Sequence, residues 1–256
     1  VPQIVYYFAA YAQLLKAGQI ALGDAVDFCV PTGNFGDILA GYYAKQMGLP
    51  VGKLVCASNE NNVLTDFLTT GTYTARRAFY KTTSPSMDIL VSSNLERLLY
   101  HVTGSDTEVA SLMKQLNETG SYTVRPETLA AIQESFACGW SSEAQVAEEI
   151  RARYEQDHYL CDTHTAVAFH VAAQHKRDGV PMVVLSTASP FKFPRSVLEA
   201  LGHAAPANDF EAMQQLEEAT GCTAPASLSA LRQKAERFHT VIDPEQIAQV
   251  ALRYQA

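Results

Sequence analysis

Residues 24–57 read DAVDFCVPTGNFGDILAGYYAKQMGLPVGKLVCA. From Asp24 to Val30 apolar and polar residues alternate, with Val26, Phe28 and Val30 on one face, which predicts a strand. The strand runs into Pro31-Thr32-Gly33-Asn34-Phe35-Gly36-Asp37, after which ILAGYYAKQMG carries helical periodicity as far as Gly48. Lys53–Ala57 (KLVCA) follows as a second strand. Strand, glycine turn, helix and strand within about 35 residues make the βαβ unit of a parallel sheet. Met182–Ser186 (MVVLS), between the helical patterns THTAVAFHVAAQHKRDG and RSVLEALG, predicts a third strand.

The turn Gly33-Asn34-Phe35-Gly36 lies where a strand meets a helix N-terminus. The first amides of a helix have no intrahelical acceptor, and the dipole there favours negative charge. Two glycines permit the positive φ values that aim successive amides at one point, so the turn can cradle a phosphate monoester. It is not a Walker loop, because no Gly-Lys-Ser/Thr follows, and it lacks the third glycine of the dinucleotide fingerprint. A strand-to-helix turn with no ligand carries the same local pattern. Asp37 would repel a phosphate if it faced inward, so it is expected to point away or to bond the loop itself.

Two further polar places stand out. Thr82–Asp88 and Ser92–Arg97 set hydroxyls, amides and an arginine on two expected helix starts, which suits a small anion. Simple capping by Ser84 and Ser93 is the alternative, since Ser84-Pro85 and Ser93-x-x-Glu96 match cap patterns, as Ser105-x-x-Glu108 does. Ser186–Pro194 (STASPFKFP) closes the third strand at its carboxyl end, where open α/β sheets bind ligands. Its hydroxyls could meet a heterocycle nitrogen, and Lys192 could serve as an amine; a structural turn with a solvated lysine reads the same way. Asp162 and His164 precede an apolar helix and are read as a capping aspartate with a half-buried histidine in preference to an acid–base pair. Tyr6-Tyr7-Phe8 and Tyr42-Tyr43 are read as core or contact residues.

The chain has 256 residues, 47% of them hydrophobic and 18% charged, with a net charge of −8, which excludes disorder and disfavours nucleic acid as a partner. No apolar run approaches membrane-spanning length. The five cysteines are scattered without a C-x-x-C pair, so neither a disulfide scaffold nor a metal site is expected, and a reducing cytoplasm fits. VPQIVYYFAAYAQLLKAG begins in mid-pattern without a methionine and reads as a packed helix of a longer protein. Organised this way, residues 1–256 hold an α/β core at about 20–75 and 158–203, a helical insertion at about 80–157, and C-terminal helices at about 206–256.

Four segments, PTGNFGDILAGYYAKQMGLP, KLVCASNENNVLTDFLTTGTY, TTSPSMDILVSSNLERLLY and VVLSTASPFKFP, in this order, resemble threonine synthase, as does the opening helix. The resemblance covers essentially the whole chain. It implies an α/β fold with the three-layer parallel-sheet core of a fold-type II, tryptophan-synthase-β-like enzyme. It also implies the cofactor pyridoxal 5′-phosphate and the conversion of O-phosphohomoserine and water to L-threonine and phosphate. By the same resemblance Gly33, Asn34, Phe35, Gly36 and Asp37 form the phosphate-cradling motif, and Thr187 meets the pyridine nitrogen. Ser84, Ser86, Asn94 and Arg97 are the candidates for the substrate side.

The family's Schiff-base lysine lies in an N-terminal region, in an aromatic-Lys-Asp context. None of the eight lysines here, at positions 16, 45, 53, 81, 114, 176, 192 and 234, has that context. The chain is therefore expected to be the C-terminal part of the enzyme, inactive alone and partnered by the N-terminal part. Another fold-type II lyase such as a threonine dehydratase, or a non-catalytic module that binds a phosphorylated metabolite, are the alternative readings.

Overall fold

The computed structural model describes residues 1–237 and 239–253. Residues 1–222 form one compact unit. Its first half contains α1 (Ile4–Lys16), β1 (Val26–Pro31), α2 (Gly36–Gln46), β2 (Val51–Ser58), α3 (Val63–Thr70), β3 (Thr72–Thr74), α4 (Leu95–Thr103) and α5 (Asp106–Thr119). Its second half contains β4 (Ser121–Thr123), α6 (Pro126–Ser135), β5 (Phe136–Trp140), α7 (Glu143–Asp157), α8 (Thr163–His175), β6 (Met182–Val184), α9 (Pro194–Ala200) and α10 (Asp209–Thr220).

Four parallel strands make the main sheet in the order β5-β2-β1-β6. Phe28 pairs with Leu54 on one side and with Val183 on the other. Side chains alternate across the sheet. Phe28 meets the Tyr7 ring of α1 at 5.0 Å between centroids, while the Cys29 thiol on the other face donates to Ala168 O of α8 at 3.2 Å. Helices α2, α3 and α6 cover the first face, with α1 and α4 packed on α2; α8 covers the second, with α7 packed on it. This is a three-layer α/β fold.

With both faces covered, all six β1 residues are buried, as parallel strands require. The polar member of the alternation, Asp27, is buried too. The Arg177 guanidinium donates to its two carboxylate oxygens at 2.7 and 2.6 Å, and Lys53 N–H donates at 2.6 Å. A buried carboxylate persists only when its oxygens are met in this way.

The stretch 80–157, expected to be helical, also contributes β4 and β5, and Ser84 precedes only a 3-10 turn at Pro85–Met87 without a side-chain cap bond. β4 pairs antiparallel with β3, and β5 is the edge strand beside β2. FACGW has a weakly apolar middle and directly follows α6, so its strand character comes from β2 rather than from its own periodicity. The expected cap at Ser93 is also replaced. α4 starts at Leu95 with Asn94 at the cap position, and Ser93 Oγ donates to Asn34 Oδ1 at 3.3 Å, a tertiary bond in place of a local one. Ser105, Asp162 and Asn208 do cap α5, α8 and α10 through their side chains.

Residues 223–256 form a second unit. Within it lie α11 (Ala226–Ser229), a 3-10 turn at Ala230–Gln233, and α12 (Ile247–Arg253) entered through a 3-10 turn that Asp243 caps. The last three residues of the expected C-terminal helical stretch lie outside the described residues.

Candidate functional site

β1 and β6 are parallel neighbours, so their carboxyl ends open on the same edge of the sheet. There the chain turns from β1 into α2 through Thr32–Phe35. Ser92 Oγ donates to Gly33 O at 2.8 Å, and Asn94 donates to Asn34 O from its side chain at 2.7 Å and its backbone at 3.2 Å. In a trans peptide the carbonyl and the next N–H point in opposite directions. Tying those two carbonyls to Ser92–Asn94 therefore turns the amides of Asn34 and Phe35 the other way. Among the described residues no acceptor meets the amides of Asn34, Phe35, Gly36 or Asp37.

The positive φ of the turn falls on Phe35 (61°) and not on either glycine, which corrects the expectation from the glycine pair. A phenylalanine tolerates the left-handed region only where its surroundings compel it. Here its ring is buried and packs 5.5 Å from the Phe136 ring on the edge strand. Gly33 serves close approach instead: a Cβ there would lie 3.0 Å from Ser86 O and 3.1 Å from Met87 Cα.

A cavity of about 360 Å³ opens over the turn. Its walls bring together Gly33, Asn34, Phe35, Gly36 and Asp37 with Ser86 from the 82–88 segment, and with Thr187, Ala188 and Lys192 from the segment after β6. His164 and Gln3 also line it. The other candidates are placed around it. Ser84 is fully buried behind the wall, its hydroxyl 3.0 Å from Asn59 Nδ2 and 3.2 Å from Thr82 Oγ1. Asn94 holds the turn from outside. Arg97 donates to Ser93 O at 2.9 Å and lines a neighbouring hollow with Tyr43 and Tyr100.

From the sequence, Lys192 reads as an amine or a solvated lysine, and His164 as a half-buried histidine in preference to half of an acid–base pair. The run Asp162-Thr163-His164-Thr165, four polar residues opening an apolar helix, was the available signal. His164 is buried, not half-buried as expected. Asn59 and Asn61 were missed; Asp88, within the Thr82–Asp88 cluster, accepts from Asn59 at 2.8 Å, Asn61 at 3.0 Å and Thr82 Oγ1 at 2.7 Å, which ties the 82–88 wall to the end of β2.

Asp37 bonds α1 at the rim of the cavity: Tyr7 Oη donates to its backbone carbonyl at 2.8 Å and to its carboxylate at 3.3 Å. Burial pushes its pKa up to about 6, against a smaller lowering by the Tyr7 bond. A carboxyl whose folded pKa is raised binds its proton more tightly in the folded state, so its contribution to stability falls as pH rises from the ordinary aspartate range through about 6. Asp37→Asn is expected to unfold at a higher temperature than wild type at pH 7.5 and at the same temperature at pH 4. An equal difference at both pH values would contradict the burial of this carboxyl.

Among the described residues no cluster of His, Cys, Asp and Glu is arranged to hold a metal, and no helix is long and apolar enough to cross a membrane. The family described as threonine synthase, C-terminal, matches residues 165–251. The threonine synthase of Methylobacillus glycogenes is 41% identical over 206 residues, covering 78% of this chain and 42% of the relative. Human threonine synthase-like 1 is 42% identical over 202 residues, covering 78% of this chain and 27% of the relative. The crystal structure of PLP-bound threonine synthase from Brucella melitensis superposes with a TM-score of 0.83 at 40% identity, covering 99% of this chain and 50% of that one. This chain thus spans between about a quarter and a half of the length of these relatives. By sequence and by fold it is similar to threonine synthases, and its residues 165–251 match the C-terminal region of that family.

Proposed function

We propose that this chain is the part of a threonine synthase that cradles pyridoxal 5′-phosphate and the phosphorylated substrate in the conversion of O-phosphohomoserine and water to threonine and phosphate. The observation that carries the reading is the cavity in which open amides of the glycine turn, the Thr187 hydroxyl and Ser86 converge. Those residues fit the cofactor. The turn offers amides with no other acceptor among the described residues, a side chain at Gly33 would crowd the Ser86 carbonyl and Met87, and the cavity volume suits a small phosphorylated ring.

When bound, pyridoxal phosphate supplies the electron sink for bond breaking at the amino-acid α carbon. The amides of Asn34 to Asp37 would hold its phosphate. Thr187, a neutral hydroxyl, would bond the ring nitrogen without adding a proton to it. Ser86, on the cavity wall, would meet the substrate, and Lys192, the one lysine or arginine among the lining residues, would offset the substrate's negative charge. Ser84 and Asn94 act through the wall and turn that they order. Arg97 stands one turn along α4, with its guanidinium on the Ser93 carbonyl. The Schiff-base lysine would come from the N-terminal part of the enzyme, in the cytoplasm.

Joined to such a lysine-bearing part and saturated with cofactor, the protein is expected to release phosphate from O-phosphohomoserine and to form threonine. Failure to form threonine from either O-phosphohomoserine or homoserine would overturn the assignment.

A further inference from the structure

The start of α8 carries four consecutive polar residues, Asp162, Thr163, His164 and Thr165, none more than 3% exposed. Buried polar groups persist when each finds a partner. The Asp162 carboxylate accepts from His164 N–H at 2.8 Å, from Thr165 N–H at 3.4 Å and from the Thr165 hydroxyl. Thr163 Oγ1 donates to Thr83 O at 2.8 Å. His164 Nε2 accepts the Ser86 backbone N–H at 3.2 Å, and its Nδ1 lies 3.0 Å from Asp162 Oδ1.

These two contacts determine the tautomer. A nitrogen that accepts an N–H carries no proton of its own, so the neutral ring bears its hydrogen on Nδ1, where it donates to Asp162. The Phe193 ring, 4.8 Å away between centroids, packs against the imidazole. The ring is therefore held at both nitrogens and against Phe193. Its far end grips the short turn Pro85–Met87, the wall of the cavity that presses on Gly33.

We propose that His164 is a positioning residue for substrate binding: held by Asp162 in the Nδ1–H tautomer, it fixes the Ser86 amide and so sets the Ser86 hydroxyl at the cavity wall. The proposal rests on the threonine synthase reading for the identity of the substrate, but the His164–Ser86 link is testable without it.

Two substitutions separate acceptor chemistry from bulk. The carbonyl of His164→Gln can occupy the place of Nε2 and accept from Ser86. His164→Asn is shorter and retains only the Asp162 partner. In this chain, His164→Asn is expected to speed hydrogen exchange of the Ser86 amide by about fivefold to tenfold, the loss of one buried hydrogen bond. His164→Gln is expected to stay within about twofold of wild type. In the intact enzyme, His164→Asn is expected to raise KM for O-phosphohomoserine by a similar factor, with kcat and cofactor retention little changed, and His164→Gln to restore it. Equal behaviour of the two variants in exchange would overturn the acceptor role.

Should His164→Asn fail to fold, the wild-type protein decides: ¹⁵N spectra are expected to show the Nδ1–H tautomer and a scalar coupling across Ser86 N–H to Nε2. An Nε2–H tautomer refutes the link. An intact enzyme that forms no threonine counts against the proposed reaction and not against this link, which the exchange rates test separately.

Discussion

Borohydride reduction of this chain in the presence of excess pyridoxal 5′-phosphate is expected to label no single lysine stoichiometrically, and the chain by itself is expected to form no threonine. Lys192 is the lysine that lines the cavity, so it is the rival to a lysine supplied from outside. A nucleophilic amine must lose its proton readily, which takes burial in an apolar pocket or a cationic neighbour. Lys192 is not buried: it is exposed, with its ammonium 5.6 Å over the Phe193 ring. Lys45 is the lysine whose pKa burial does lower, but its ammonium bonds Gly52 O, near the start of β2 and the opposite end of the sheet. Lys53 is held by the carbonyls of Gln133 and Glu134. Peptide mass mapping of the reduced protein checks the expectation. Complete labelling of Lys192 would make this chain a catalyst in its own right and end the reading of it as a part.

Replacing the turn glycines should separate two effects. Gly33→Val is expected to weaken cofactor retention by about a hundredfold and to lower stability as well, because overpacking against fixed atoms costs about 1–3 kcal/mol. The atoms in its way are the Ile89 Cδ1 methyl, the Ser86 carbonyl and Met87 Cα, and the last two are backbone that cannot rotate aside. Gly36→Val meets a softer neighbour. Its Cβ would lie 3.4 Å from Asn94 Nδ2, an ordinary contact, so the fold is expected to survive. The added methyls still stand beside the amides that would receive the phosphate, and retention is expected to fall by about tenfold. Equilibrium dialysis of the reconstituted enzyme, with thermal unfolding measured alongside, distinguishes the two. If both variants held pyridoxal phosphate as wild type does, the turn would be a turn and nothing more.

Features set by near neighbours were legible in the sequence. The β1–α2–β2 unit follows from periodicity and a glycine turn, and the caps at Ser105 and Asp162 follow from hydrogen bonds that span two or three residues. The resemblance to threonine synthases is carried by four segments of the sequence alone. Other features needed the chain to close on itself. β5 is a strand because β2 lies beside it, and FACGW has no alternation strong enough to declare it. Phe35 takes the left-handed conformation with its ring buried against Phe136, remote in sequence, so the glycines on either side were misleading guides to where the turn is strained. Ser93 leaves its helix start for Asn34, 59 residues away. His164 joins the site through an amide 78 residues distant, and Arg97 lines a different hollow altogether. Local bonding competes only among groups a few residues apart, which the sequence displays. The partners of a buried imidazole or an edge strand are chosen by packing across the whole core, and that choice is made only in the tertiary structure.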